Sequence, residues 1–131
     1  MKSDIDIKDI IYDYLKGSAL AEAVTGQLLK TRRPKNSDKE DIVISVLANE
    51  GSQRQEAVVN VNVYVEDVII DGQPEEDTIR LRTLCGIAMR SITETHFRTA
   101  WLKPAPPRVY EADGIDWHII NNRINFKIIN E

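Results

Sequence analysis

The 131-residue chain has one cysteine, two histidines and no long apolar run. Cys85 has no second cysteine with which to form an internal disulfide, so we expect a reducing compartment. No run approaches the roughly 18 apolar residues that a membrane-spanning helix needs. Asp4 and Asp6 interrupt the region where a secretory signal would need apolar residues. These absences predict a single cytosolic domain over residues 1–131, with no membrane contact.

The chain also has no excess of positive charge, since its formal net charge is -4. A protein that binds nucleic acid non-specifically normally carries a strongly basic surface. The most basic stretch, residues 30–39, contains no aromatic side chain on which a base could stack. We therefore predict no sequence-specific nucleic-acid partner.

Residues that carry chemistry are equally scarce. A nucleophile needs a base within reach and a group that orients the base, but Cys85 falls on an apolar helical stripe and the two histidines lie far apart in sequence. One cysteine and two separated histidines do not form a zinc site. The acidic residues 66–77 fit a calcium loop poorly, because Ile69 and Thr78 occupy positions where ligands belong. We predict no catalytic residue, no metal and no cofactor, and thus a protein that is not an enzyme.

The clearest pattern in the sequence is a strict alternation over residues 56–65. One face of this segment carries Val59, Val61, Val63 and Val65. A period of two indicates a half-buried strand. Residues 41–48 show a second strand pattern, and the connecting residues 49–54 are rich in turn formers. A short strand is also predicted over residues 27–33, ended by Pro34.

Two helices are predicted before these strands. In residues 5–16 the apolar side chains recur with helical spacing. They are Ile7, Ile10, Ile11, Tyr14 and Leu15. Ser3 or Asp4 can cap the start of this helix, and Gly17 suits its end. Residues 18–24 predict a second, short helix.

After the strands the sequence becomes acidic and then helical. Pro74 suits the first turn of a helix, and Glu75 and Glu76 suit the positive end of a helix dipole. An apolar stripe follows at Leu81, Leu84, Cys85, Ala88 and Ile92. We predict a long helix over about residues 75–97, packed on one face of the sheet, with His96 near its C-terminal end.

The last part of the chain predicts a hairpin. An extended segment precedes it, marked by Pro104, Pro106 and Pro107. The Asp-Gly pair at residues 113–114 indicates a two-residue type I′ turn, which would place Tyr110 opposite Trp117. The spacing allows either a bulge or a turn at residues 121–122, both of which are asparagine.

The predicted strands occur in blocks and do not alternate with helices. This order favours an α+β fold with an antiparallel sheet over a doubly wound parallel one. We predict a sheet of about five strands, with the N-terminal helix and the long helix packed on it.

Two clusters of opposite charge have no role in the predicted fold: a basic one within residues 30–39 and an acidic one within residues 66–77. The candidate subunit contacts in these clusters are Arg32, Arg33, Lys35, Asp71, Glu75 and Glu76. The simpler interpretation is two solvated loops. The alternative is a pair of complementary patches on opposite sides of a subunit, which would favour head-to-tail contacts that close into a ring.

One progression of motifs resembles a known group of proteins. It runs from Arg32-Arg33-Pro34 through Asp41-Ile42-Val43-Ile44 to the valine-rich residues 59–65. It resembles the tail-completion and tail-terminator proteins of tailed phages and prophages, which join heads to tails. The leading helix and the closing strands extend the similarity over most of the chain.

The resemblance implies an α+β subunit that assembles as a homo-oligomeric ring, typically about six-fold, at the tail end or head–tail junction. It implies other tail or connector proteins as partners, and residence in the host bacterial cytoplasm before incorporation into the virion tail. The family has no catalytic residues to carry over, and its contacts lie on loops and strand edges. A second hypothesis is a bacterial adaptor domain that binds a protein partner by strand addition at its exposed sheet edges.

Overall fold

The computed structural model describes residues 1–130 and has an α+β fold. The helices are α1 (Asp4–Leu15), α2 (Ala19–Ala23) and α3 (Thr78–Ser91). The strands are β1 (Leu28–Leu29), β2 (Ile42–Gly51), β3 (Arg54–Glu66), β4 (Val68–Ile70), β5 (Gln73–Glu75), β6 (Thr95–Phe97), β7 (Ala100–Pro104), β8 (Arg108–Glu111) and β9 (Trp117–Ile129). The predicted fold class is confirmed. Among the described residues, no helix is both long enough and apolar enough to cross a membrane.

Seven strands form the main sheet, against the prediction of about five. Their order is β1-β2-β3-β9-β7-β6, and β8 also pairs with β9. Strands β7 and β8 share one edge of β9: β8 pairs with residues 118–121, and β7 pairs with residues 124–128. Every pairing is antiparallel except that of β1 with β2. The extra strands come from segments that were predicted as helix or as connections.

The helices pack against one face of this sheet, because alternate residues of the strands make only that face continuously apolar. The predicted alternation in β3 is confirmed, with Val59, Val61 and Val63 fully buried. Strand β9 adds Ile120, Ile124 and Phe126, and α1 adds Ile7 and Ile11, to a single core cluster. We call the opposite face, which has no helix on it, the open face.

The N-terminal helix α1 confirms its predicted pattern. Ser3 caps it: the Ser3 hydroxyl accepts from the Asp6 N–H, and the Asp6 carboxylate accepts from the Ser3 N–H at 2.8 Å. Gly17 follows the helix with φ +73°, a conformation that glycine adopts without strain. Ile7, Ile10, Ile11 and Leu15 are buried. The short helix α2 is confirmed as well.

The long helix predicted over residues 75–97 is wrong at its N-terminal end. Helix α3 begins at Thr78, and the side chain of Asp77 caps it by accepting from the Arg80 N–H at 3.1 Å. Strands β4 and β5 precede it as a hairpin whose turn residues, Asp71 and Gly72, have φ of +51° and +77°. Positive φ at both central residues is the type I′ geometry of tight hairpins. The β-branched residues 68–70 before the turn favour a strand over a helix, and Pro74 is compatible with the extended backbone of β5.

The C-terminal end of that predicted helix is also wrong. Helix α3 ends at Ser91, and His96 lies in β6, where its ring stacks on Trp101 with centroids 6.0 Å apart. The apolar stripe of the helix is confirmed, with Leu81, Leu84 and Ala88 buried. The error arises because residues 95–97 complete the sheet edge beside β7, a tertiary pairing that helical periodicity does not reveal.

The N-terminal strands depart from their predicted limits. Strand β1 covers only Leu28 and Leu29 and pairs in parallel with β2, whereas a strand was predicted over residues 27–33. Strands β2 and β3 extend through most of the predicted connection, residues 49–54. Only residues 52 and 53 therefore connect the two strands. A bulge near Leu47 shifts the register, and β2 then keeps pairing with β3 up to Gly51.

The C-terminal hairpin forms, but with a different turn. The Ala112 N–H donates to the Trp117 carbonyl at 2.9 Å, so the loop contains residues 113–116 and Tyr110 pairs with Ile119. Gly114 has a positive φ of +74° and Asp113 does not, which excludes the predicted type I′ turn. The shift by two residues preserves which side chains share a face. Residues 121–122 form neither a bulge nor a turn, because β9 pairs with β3 without interruption.

Candidate interaction surfaces

Strands β4 and β5 form a hairpin outside the main sheet, and we call residues 68–75 the arm. Its apolar side chains are exposed: 37% for Val68, 66% for Ile69 and 49% for Ile70. An isolated two-stranded hairpin is only marginally stable in water. A group of exposed apolar side chains often marks a protein contact site. The arm is therefore the strongest candidate contact element in the described residues.

Asp67, which leads from β3 into the arm, holds the base of the arm in place. The Asp67 carboxylate lies 2.6 Å from Nδ1 of His118, and the Asp67 N–H donates to the Asp116 carbonyl at 3.0 Å. Both side chains of the Asp67–His118 pair are largely buried. A cavity of about 540 Å³ beside the pair is also lined by Glu75 and Glu111. The arm thus emerges from an ordered, hydrogen-bonded base.

The acidic side chains of the arm segment are free to bind a partner. Asp71 lies at the turn, Glu75 ends β5 and Glu76 follows it, and all three residues are exposed. Across residues 1–130, none of their carboxylates is within 4.0 Å of a lysine, arginine or histidine nitrogen. These three predicted contact residues are therefore brought together on and beside one projecting hairpin.

The basic loop behaves differently, because Arg33 is engaged within the subunit. Its Nε donates to Asp41 at 3.1 Å, and its Nη2 donates to the Lys39 carbonyl at 2.7 Å. Its guanidinium also lies over the rings of Trp117 and Tyr64, at 3.9 and 4.7 Å from their centroids. These contacts tie the loop to β3 and β9, so Arg33 is positioned chiefly to hold the fold.

Asp41 is the centre of this network and is only 1% exposed. Its carboxylate accepts from the Ser37 hydroxyl at 2.6 Å, from the Gln27 N–H at 3.0 Å and from Arg33. Burial by itself raises the pKa of this carboxyl, but the hydrogen bonds from Ser37, Gln27 and Arg33 outweigh it and hold the pKa below its ordinary value. Asp41 is thus a buried charge whose acceptors are satisfied.

The remaining basic residues of the loop are exposed. Arg32 and Lys35 make no ion pair within 4.0 Å in the described part of the chain. Lys39, however, lines the same surface pocket as Glu66 and Asp67. The loop therefore lies at the same end of the subunit as the base of the acidic stretch. The placement of Arg32, Arg33 and Lys35 on the opposite side of the subunit from Asp71, Glu75 and Glu76 stays a prediction.

A different basic surface lies on the open face. Registers in the sheet place five basic strand residues there, namely Arg54, Lys103, Arg108, Arg123 and Lys127. Three acidic strand residues share that face, namely Glu50, Glu56 and Glu66. The chain as a whole has a net charge of -4. Charge is therefore segregated, with the open face more positive than the rest of the subunit.

Three asparagine side chains form a hydrogen-bonded ladder at the centre of the open face. The Asn121 amide donates to the side-chain carbonyls of Asn60 and Asn62 at 3.1 and 2.8 Å. Next to this ladder lies a depression of about 450 Å³. We call it the basic hollow; it is lined by Ala105, Pro106, Arg108, Tyr110, Asn121 and Arg123. Neither of its arginines has a carboxylate within 4.0 Å among residues 1–130.

Sequence reasoning missed the basic hollow because its residues are separated along the chain. Arg108 and Arg123 belong to different strands, and only the register of β8 with β9 brings their side chains to one face. One signal was available: Arg123 and Lys127 alternate with the apolar Ile124, Phe126 and Ile128. That alternation places the basic residues of β9 opposite the core.

The described residues contain no group of three or more histidine, cysteine or acidic side chains arranged to hold a metal. Burial raises the pKa of the Cys85 thiol, so its nucleophilic thiolate form is disfavoured at neutral pH. Comparison with protein-family profiles found no match, and comparison with curated protein sequences found no significant match. The arm and the basic hollow are therefore the features from which a function can be argued.

Proposed function

We propose that the chain is a structural component of a phage or prophage virion that oligomerises as a ring at the tail end or the head–tail junction. Its partners are other copies of itself, about six in a typical closed ring of this kind, and neighbouring tail or connector proteins. The subunit is made in the host bacterial cytoplasm and then enters the virion tail. In this function it is a scaffold and not an enzyme, and it needs no cofactor or metal.

The arm is the observation that supports an assembling subunit. The arm and the adjacent Glu76 expose Ile69, Ile70 and three carboxylates that have no ion-pair partner within 4.0 Å among residues 1–130, while the base of the arm is fixed by Asp67 and His118. Such an arm adds little to the stability of an isolated subunit, whereas its burial against a partner removes apolar surface from water. The phage assignment rests on the sequence motifs of residues 32–65, which resemble those of tail-completion proteins.

The adaptor function is supported by one specific observation. Strand β8 is exposed along its length, and within the described residues it pairs with β9 alone, so its other edge is open. An open edge can accept a strand from a partner protein. The adaptor hypothesis predicts a stable monomer that captures one peptide, whereas the ring hypothesis predicts a discrete, closed oligomer.

Solution mass distinguishes the two functions. Light scattering over a concentration series, at low and moderate salt, should give a single species at an integer multiple of 14.9 kDa. Negative-stain images of that species should show rings with a central hole. A strict monomer, even at high protein concentration and low salt, would contradict the ring function and favour the adaptor.

A further inference from the structure

The arm and the basic hollow are complementary in charge and in apolar content. The arm segment presents Asp71, Glu75 and Glu76 beside exposed isoleucines. The basic hollow presents Arg108 and Arg123 beside proline, alanine and tyrosine. Each set of charges lacks an internal partner, as described above. Arginine forms bidentate pairs with carboxylates, so the two surfaces have the chemistry to bind each other.

This contact does not form within one subunit, since neither Glu75 nor Glu76 has an arginine nitrogen within 4.0 Å of its carboxylate among residues 1–130. The arm lies beside Glu111 and His118, which are paired across β8 and β9 and point to the helix-covered side of the sheet. Arg108 and Tyr110 alternate with Glu111 on β8 and therefore belong to the open face. The strands of the arm contain three residues each. They span about 10 Å.

We propose that the arm of one copy docks into the basic hollow of the next copy. This inference rests on the proposed function and names the two surfaces that form the ring contact. The carboxylates of Glu75 and Glu76 pair with Arg108 and Arg123 of the neighbouring copy. The exposed isoleucines of the arm pack against the proline and tyrosine of the hollow.

A contact of this kind is head-to-tail, because the two surfaces are different and lie on opposite faces of the sheet. Repeating a head-to-tail contact generates a ring when the rotation closes. Every copy then uses its arm once and its hollow once. The acidic residues of the arm then bind the basic hollow and not the basic loop, because Arg33 of that loop is already paired with Asp41 within its own subunit.

Three charge-reversed variants test the contact. The first carries Glu75→Lys and Glu76→Lys on the arm, the second carries Arg108→Glu and Arg123→Glu in the hollow, and the third combines all four changes. Like charges across the contact should weaken self-association about 100-fold or more in each of the first two variants. The combined variant should recover the wild-type mass, because its charges are complementary again. The matched control is Arg82→Glu, an exposed charge reversal on α3.

Mixing the first two variants gives the sharpest readout by analytical ultracentrifugation. The arm-reversed chain keeps an intact hollow, and the hollow-reversed chain keeps an intact arm. A 1:1 mixture should therefore recover oligomers larger than a dimer, in which the two chains alternate, because the intact arm fits the intact hollow and the reversed arm is complementary to the reversed hollow. Unchanged thermal midpoints of the separate variants will show that the folds are intact.

The outcomes separate the inference from the proposed function. Rings in both reversed variants would overturn the arm-to-hollow contact and leave ring formation standing. A wild-type monomer under all conditions would contradict the proposed function itself. The hollow-reversed variant could instead keep the ring mass and lose binding to a single-stranded oligonucleotide. That result would also overturn the inference, because it would assign the hollow to a nucleic acid.

Discussion

Replacement of Asp41 by alanine is expected to lower the free energy of unfolding by about 3–5 kcal/mol. The change leaves the largely buried Arg33 guanidinium without its carboxylate, and it leaves the Ser37 hydroxyl and the Gln27 N–H without their acceptor. Breaking one side of a buried ion pair typically costs this much because the remaining charge stays desolvated. Urea unfolding of the wild type and the variant will measure the difference.

The control is Asp38→Ala, which removes an exposed acid from the same loop. It should change the free energy of unfolding by less than about 0.5 kcal/mol. A loss below about 1 kcal/mol for Asp41→Ala would contradict the role of Asp41 as the centre of the loop network.

The network around Asp41 also makes the stability of the fold depend on pH, and the direction of that dependence follows from the pKa of Asp41. The pKa of Asp41 is lowered in the folded state relative to about 3.9 in an unfolded chain. The stabilisation is therefore fully present above the unfolded pKa and is lost as the pH falls through the folded pKa. The stability difference between the wild type and Asp41→Asn should be constant from pH 7 to about 5 and should shrink below about pH 4. A difference that does not vary with pH would contradict this assignment.

Removal of the arm is expected to abolish self-association and leave the fold intact. Replacing residues 69–74 with two glycines deletes the exposed isoleucines and the turn while keeping Asp67 and its contact with His118. Because the deleted side chains are largely exposed, the free energy of unfolding should change by less than about 1 kcal/mol. Light scattering should report a monomer at concentrations where the wild type forms its oligomer.

A suitable control for the arm deletion is Ile79→Ser, which removes an exposed apolar side chain from α3. It should retain the wild-type mass. Persistence of the oligomer in the arm deletion, or its loss in both variants, would contradict a specific role of the arm in assembly.

The sequence predicts the central strands and the first helix well, because burial on one side imposes a clear period. In β3 the alternating valines all face the core, and in α1 the isoleucines do so. A capping serine and a following glycine mark the ends of α1 as well. These signals are local, so they can be interpreted without knowledge of the rest of the fold.

Residues 66–77 show where local signals conflict. Pro74 and the acids after it fit the start of a helix, but they also fit the second strand of a hairpin. Asp71 and Gly72 adopt the tight-turn geometry that we predicted for residues 113–114. The two Asp-Gly pairs look alike in sequence, and pairing with neighbouring residues determines which forms the two-residue turn.

The candidate site was predictable only in part. Asp71, Glu75 and Glu76 were identified from their charge, and the structure places them on and beside one arm. The engagement of Arg33 with Trp117 could not be anticipated, because it depends on the sheet bringing together residues far apart in the chain. The basic hollow likewise depends on the register of β8 against β9.

A cysteine cross-link between copies tests the arm-to-hollow contact most directly. In a Cys85→Ala background, Ile69→Cys on the arm and Pro106→Cys in the basic hollow are joined with a short bismaleimide, and the product is separated on a denaturing gel. We expect a ladder of covalent oligomers that ends at the ring size. The control pairs Ile69→Cys with Met89→Cys, an exposed position on α3, and should remain monomeric. A ladder in the control but not in the arm-to-hollow pair, or monomers in both while the native mass is that of a ring, would contradict the contact.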